Sequence, residues 1–313
     1  MLLGTYRTMQ TLSGFMGVIK DDVVVGTFDD DIHSLGGWNP FRSPVTDKDH
    51  FVISSLGTSA VQLADPPWSV DGISNGIAYQ DGLDLIVIFN GFSGATFVCQ
   101  AWKYRPSTIT WTVINSDIMA DTDHGERHSP QYCYHNGAVY VHGGIENNTL
   151  AKSTDNGVTW AYVANSPYHP DFLSIAAMVS FKGDLYIMGG LLNQVTTPTE
   201  ANRCYRSSDN GLTWELVVTG SPFDTHYCNA TATSEAIYFI QGTRGVAGPL
   251  KAGLQTSYDG ETWTPIFRSP SARHATGMCV LDNEPYMVGG YLYDDVWRVK
   301  KIASMTQYFA GKP

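Results

Sequence analysis

Six copies of one pattern run along this 313-residue chain: an apolar strand, a short turn, and a second apolar strand ending in glycine. Three copies are strict: "YCYHNGAVYVHGG" (132–144), "MVSFKGDLYIMGG" (178–190) and "MCVLDNEPYMVGG" (278–290). Three are looser: "VGTFDDDIHSLGG" (25–37), "AYQDGLDLIVIFNG" (78–91) and "TATSEAIYFIQG" (231–242). The closing glycines fall at 37, 91, 144, 190, 242 and 290, so successive copies stay between 46 and 54 residues apart. A unit of this size cannot bury its apolar faces alone and must stack on its neighbours. Few folds satisfy that requirement.

Each unit reads as four strands. The first is small and apolar, and the second ends at Gly-Gly. The third is exemplified by "DVWRVK" (295–300), and the fourth is marked by Trp68, Trp111, Trp160, Trp214 or Trp263. Alternation of period two and turn residues between the runs support strands, and no segment holds a helical period over three turns. The expected fold is all-β: a six-bladed β-propeller of four-stranded antiparallel blades, near 23–72, 76–118, 130–168, 176–222, 227–270 and 275–302. The sixth unit lacks a fourth strand. "TYRTMQTLSG" (5–14) aligns with "LTWELVVTGS" (212–221), with Tyr6 in the Trp place, so the N-terminal strand is expected to close the last blade and remove an open edge. Residues 1–302 then form one domain, and 303–313 form a tail that covers an edge or docks on a partner.

The Gly-Gly strand pairs resemble kelch repeats, as do the Arg-His lead-ins of "ERHSPQYCYHNGAVYVHGG" (126–144) and "ARHATGMCVLDNEPYMVGG" (272–290). A second motif runs out of phase with the first: "STDNGVTW" (153–160), "SSDNGLTW" (207–214) and "SYDGETW" (257–263). It resembles the Asp-box (BNR repeat), S-x-D-x-G-x-T-W, of sialidase-like propellers. Its residues have a structural reading. Asp155, Asp209 and Asp259 can accept hydrogen bonds from turn amides. Gly157, Gly211 and Gly260 permit a positive φ, while Trp160, Trp214 and Trp263 bury large rings. Three calcium or acid sites are the functional alternative, but each box supplies a single aspartate. In Asp-box families this turn lies opposite the substrate face, which directs the search to the other loops.

Composition excludes several partners. A formal net charge of −11, with Lys300–Lys301 as the one adjacent basic pair, argues against nucleic acid. No apolar run is long enough to insert in a membrane as a helix. "MLLGTYRTMQ" does not read as a signal peptide, so synthesis in the cytoplasm is expected. Cys99, Cys133, Cys204, Cys228 and Cys279 form an odd set without C-x-x-C spacing, which points to free thiols in a reducing compartment rather than disulfides or a thiolate zinc site. Long Ser-, Thr- and Gly-rich loops resemble those of bacteriophage tail and adhesin propellers, and this resemblance implies a virion component that contacts other virion proteins.

The candidate ligand-binding residues lie on loops of the face away from the Asp-boxes: Trp38, Arg42, Arg127, His128, Tyr168, His226, Arg244, Arg273, His274 and Tyr291. Phe41, Phe172, Phe223 and Tyr293 add aromatic faces suited to sugar rings. His128, His226 and His274 occupy equivalent places before first strands. They could converge as a three-His metal site, or the Arg-His pairs could bond neighbouring backbone; the second reading is preferred, with no metal and no cofactor expected. A sialidase would need three arginines, a Tyr–Glu nucleophile pair and an acid-base Asp, and the Arg-Ile-Pro motif of those enzymes is absent. Kelch relatives that epimerise sialic acid use Arg, His and Glu, types supplied here by Glu126, Arg127–His128 and Arg273–His274. Loop carboxylates are plentiful (Asp47, Asp121, Asp123, Glu126, Glu146, Asp171, Glu200, Asp224), but sequence cannot pair them. The expected function is therefore non-catalytic recognition of a surface glycan or protein receptor, with a glycan-acting enzyme as the alternative.

Overall fold

The computed structural model describes residues 6–12, 22–37, 48–54, 59–68, 70, 72–93, 96–118, 127–145, 147–243, 249, 253–266, 273–290 and 293–302. The protein is all-β, and the described residues contain no α-helix. Six four-stranded antiparallel sheets follow one another along the chain. Sheet 1 comprises Val24–Phe28, Asp31–Leu35, His50–Ser54 and Ala60–Leu63. Sheet 2 comprises Gly72–Asp81, Asp84–Ser93, Thr96–Arg105 and Thr110–Asn115. Sheet 3 is built from Gln131–His135, Ala138–His142, Thr149–Ser153 and Ala161–Asn165. Sheet 4 uses Ala177–Phe181, Asp184–Met188, Arg203–Ser207 and Glu215–Thr219, and sheet 5 uses Asn229–Ala232, Ile237–Ile240, Leu254–Ser257 and Thr264–Pro265. Sheet 6 takes Gly277–Leu281, Glu284–Val288 and Val296–Ile302 from the C-terminal part, and its fourth strand is the N-terminal Tyr6–Leu12, paired antiparallel with Val296–Ile302.

The core is divided among six apolar clusters, each shared by two sheets. Val24 and Leu35 of sheet 1 meet Val87 and Phe89 of sheet 2, and the pattern repeats through sheets 2–3, 3–4, 4–5 and 5–6. The sixth cluster joins Cys279, Tyr286 and Val288 of sheet 6 to Val25, Ile32 and Ile53 of sheet 1. Each sheet is thus covered on both faces, which explains why second strands such as Ala138–His142 are buried at every position. The first strands also contact one another in order, with that of sheet 6 against that of sheet 1.

The Asp-boxes join the third and fourth strands of sheets 3, 4 and 5. In sheet 4, Asp209 accepts from the Thr213 amide at 2.8 Å, the Thr213 hydroxyl at 2.5 Å and the Ser207 hydroxyl at 2.8 Å. Those bonds, led by the Thr213 hydroxyl, hold its carboxyl at about 2. Asp155 repeats this set with Thr159 and Ser153. Burial pushes Asp259 up, but the amides of Thr262 and Glu261 outweigh it and hold the group at about 2. Gly211 sits at φ 88°, wedged against Leu150 of the preceding sheet. Trp160, Trp214 and Trp263 pack into the clusters between sheets 2–3, 3–4 and 4–5. The boxes are seams between sheets.

One element is unforeseen by the repeat. The loop 191–202 and the segment before sheet 4 form a small three-stranded sheet of Leu173–Ser174, Leu191–Leu192 and Thr199–Glu200.

Candidate functional site

Antiparallel alternation sorts the connections into two ends. The Asp-boxes and the hairpins between first and second strands share one end: Asn156 of a box donates to Asp81 Oδ2 at 2.7 Å and accepts from the Tyr79 hydroxyl at 2.8 Å. The lead-ins to first strands and the segments after the closing glycines share the other. A cavity of 320 Å³, lined by residues of all six first strands, opens along the molecule between these ends.

At the lead-in end the backbone forms a belt. The amides of Asp22, Ala275, Tyr227 and Ile175 donate to the carbonyls of Ala275, Tyr227, Ile175 and Ser129, at 3.1, 3.0, 2.9 and 3.2 Å. Each bond links adjacent sheets. All five residues hold φ between 46° and 53°, a conformation that costs a non-glycine residue roughly 1 kcal/mol or more. Four of them, Asp22, Ile175, Tyr227 and Ala275, line the cavity. Strain is therefore concentrated around its mouth.

The two lead-in arginines are structural. Arg127 is buried, and donates through Nη1 to Gly143 O (2.8 Å) and Thr149 O (3.1 Å) and through Nη2 to Thr149 Oγ1 (2.7 Å). Burial pulls its guanidinium down to about 10. Arg273 is 0% exposed and repeats the arrangement, donating to Gly289 O at 3.0 Å and to Asp295 Oδ1 at 2.6 Å and Oδ2 at 3.2 Å. The Tyr293 ring lies 4.1 Å from its guanidinium carbon. Each arginine braces the Gly-Gly corner of its own sheet. Both guanidinium groups, chosen from the sequence as ligand-binding candidates, are buried at 3% and 0% exposure.

The histidines divide. His128 is half-buried and stacks on Phe97, with ring centroids 4.3 Å apart; burial lowers its pKa. His226 is buried and its Nδ1 lies 3.0 Å from Glu200 Oε1. The short strand Thr199–Glu200 holds that carboxylate in place by pairing with Leu191–Leu192. His274 Nδ1 is 2.8 Å from Thr243 Oγ1. Tyr227 sits between the two, 5.3 Å from the His226 ring and 5.0 Å from that of His274. Among the described residues, no group of three His, Cys, Asp or Glu side chains could hold a metal ion.

Tyr168 is core rather than loop surface: it is 3% exposed, packs edge-on to Tyr205 and donates to Arg203 O at 3.3 Å. Phe223 is fully buried against Phe239 and Trp263, while Phe172 keeps 36% exposure. Trp38, Arg42, Arg244 and Tyr291 lie outside the described residues, as do Phe41, Asp47, Asp121, Asp123, Glu126 and Glu146. Sequence reasoning passed over Tyr227, Thr243 and the Glu200–His226 pairing. Tyr227 follows a selected histidine by one residue, and only its backbone conformation and place on the cavity wall distinguish it.

No family model matches the chain, and no curated protein matches it. The solved structure of YjhT is similar in fold, with a TM-score of 0.68 over 92% of this chain and 95% of that one, at 15% sequence identity. Likeness at that identity speaks for the fold alone.

Proposed function

We propose that the chain is a six-bladed β-propeller that recognises a surface glycan at the mouth of its axial cavity, without catalysis. Six interfaces, the last between sheets 6 and 1, support the propeller reading. One observation carries the functional reading. The mouth is rimmed by a strained belt that carries Tyr227 on the cavity wall, with His274 and its partner Thr243 beside it. A cavity of 320 Å³ suits one or two sugar rings. Its lining holds a single carboxylate among the described residues, Asp22, where hydrolysis of a glycoside asks for a pair. Residence in a virion, beside other virion proteins, rests on the resemblance of the loops alone.

The Glu200–His226 contact favours a second reading, a glycan-acting enzyme in which the carboxylate orients the imidazole. Glycan-array binding run beside hydrolase and mutarotation assays separates the two. The recognition reading expects binding without turnover. Turnover that disappears in Glu200→Gln, with binding retained, would establish the enzyme.

A further inference from the structure

We infer that Asn136 is the site at which this chain deamidates, by attack of the Gly137 amide nitrogen on its side chain, and that the change weakens the seam between sheets 3 and 4. In an Asn-Gly step the glycine nitrogen lies close enough to displace the carboxamide. The bond from that nitrogen to Cγ forms as the Cγ–Nδ2 bond breaks. Nδ2 leaves as ammonia, with a proton to replace the one that the glycine amide gives up. Water then opens the cyclic imide at either carbonyl and leaves aspartate or isoaspartate. The step needs a glycine nitrogen free of other bonds, room for the backbone to turn, and access to water.

The sequence holds five Asn-Gly steps, beginning at Asn75, Asn90, Asn136, Asn156 and Asn210. Packing separates them. A methyl group on Gly76, Gly91, Gly157 or Gly211 would come within 3.0 Å of the Ile88 carbonyl, the Gly72 carbonyl, the Ala101 methyl or the Leu150 side chain, in that order. On Gly137 it would meet nothing within 4 Å. The Gly157 and Gly211 amides are also engaged, donating to the Ser153 and Ser207 hydroxyls at 2.8 Å each. Asn75 sits inside the strand Gly72–Asp81 with Nδ2 held on the Pro130 carbonyl at 2.6 Å, and Asn90 is 0% exposed. Asn136 and Gly137 are both exposed and form the turn between Gln131–His135 and Ala138–His142. Their φ values of 47° and 79° are those of the tight hairpin that Asn-Gly suits. Among the described residues the Gly137 amide donates to no acceptor.

The consequence falls on a contact between sheets. Asn136 Nδ2 donates to Asn210 Oδ1 at 2.9 Å and lies 3.0 Å from His135 Nε2. The first of these bonds ties the hairpin of sheet 3 to the Asp-box of sheet 4. Deamidation replaces the donor by a carboxylate oxygen that faces the Asn210 carbonyl oxygen, so a hydrogen bond becomes a meeting of two acceptors. Isoaspartate also adds a methylene to the backbone of a turn whose length sets the strand register.

The test incubates the whole chain in mildly alkaline buffer, with and without urea, and follows each Asn-Gly step by peptide mapping and mass spectrometry. Residues 128–152 form one tryptic peptide, and its fragment ions place the change. In the folded chain Asn136 should convert about tenfold faster or more than the other four steps, to a mixture of aspartate and isoaspartate. In urea the five rates should draw together, because packing no longer distinguishes them. Conversion at another step as fast as at Asn136 in the folded chain, or none at Asn136, would overturn the assignment. Aspartate without isoaspartate would remove Gly137 as the nucleophile. For the seam, Asn136→Asp and the converted wild-type fraction, separated by ion exchange, should both melt about 2 °C or more below the parent. Melting at or above the parent temperature in either would overturn the weakening of the seam.

Discussion

Acid should loosen this protein well before its carboxylates protonate, because two histidines are buried in a neutral state. His142 is 0% exposed, with Nε2 2.9 Å from Ser166 Oγ and Nδ1 3.3 Å from Gln131 Oε1. Burial, assisted by the charge of Arg127, pushes its pKa down to about 3. His33 is 3% exposed, and its Nδ1 lies 2.8 Å from His50 Nε2 in a box that includes Tyr104 and Phe28. Burial takes it down to about 4. In the unfolded chain both titrate near 6.5. Since the folded values are depressed, the contribution is complete above pH 6.5 and is lost as the pH falls towards 4. At 1.36 kcal/mol per pKa unit, each site forfeits about 2.5 kcal/mol by pH 4.5. Together they remove about 5 kcal/mol, comparable with the entire stability of many domains. Urea unfolding followed by tryptophan fluorescence at pH 7, 6, 5 and 4.5 measures the slope. His142→Gln keeps a hydrogen-bonding amide and removes one titration, so its loss between pH 7 and 4.5 should be smaller than that of wild type by about 2.5 kcal/mol. Equal losses in the two proteins would refute the reasoning.

Three further outcomes are expected. Gly143→Ala should cost about 2 kcal/mol or more in urea unfolding, because φ is 62° and a Cβ would stand 2.3 Å from the Leu173 carbonyl of the next sheet. Asp209→Ala should lower the melting temperature by removing three hydrogen bonds, at about 1–2 kcal/mol, without changing any glycan binding at the opposite end. The contribution of that depressed carboxyl is present above about pH 4 and fades as pH falls towards 2. Deleting residues 1–12 exposes the edge of Val296–Ile302. Size-exclusion chromatography should then show oligomers or aggregate in place of the parent species.

The repeats carried the sheet count, the pairing of neighbours and the Asp-box chemistry, since each depends on spacing within some fifty residues. The alignment of 5–14 with a fourth strand also pointed to the pairing of Tyr6–Leu12 with Val296–Ile302. Periodicity works because a strand shows its two faces in its own sequence. The mouth was less legible. Arg127 and Arg273 look alike in sequence whether they face a ligand or brace a Gly-Gly corner, and burial decides for the corner. Tyr168 and Phe223 read as loop aromatics until packing places them inside.

By itself, the sequence determined that the chain is all-β and built from six similar units, because an unpartnered repeat of that size cannot pay its entropy cost. Only the tertiary structure decided which side chains meet at the cavity. Glu200 reaches His226 through a short strand that no repeat predicts, and Tyr227 takes its place through a left-handed backbone held by the Ile175 carbonyl and the Ala275 amide of neighbouring sheets. Both depend on contacts between residues distant in the chain, and no local pattern records them.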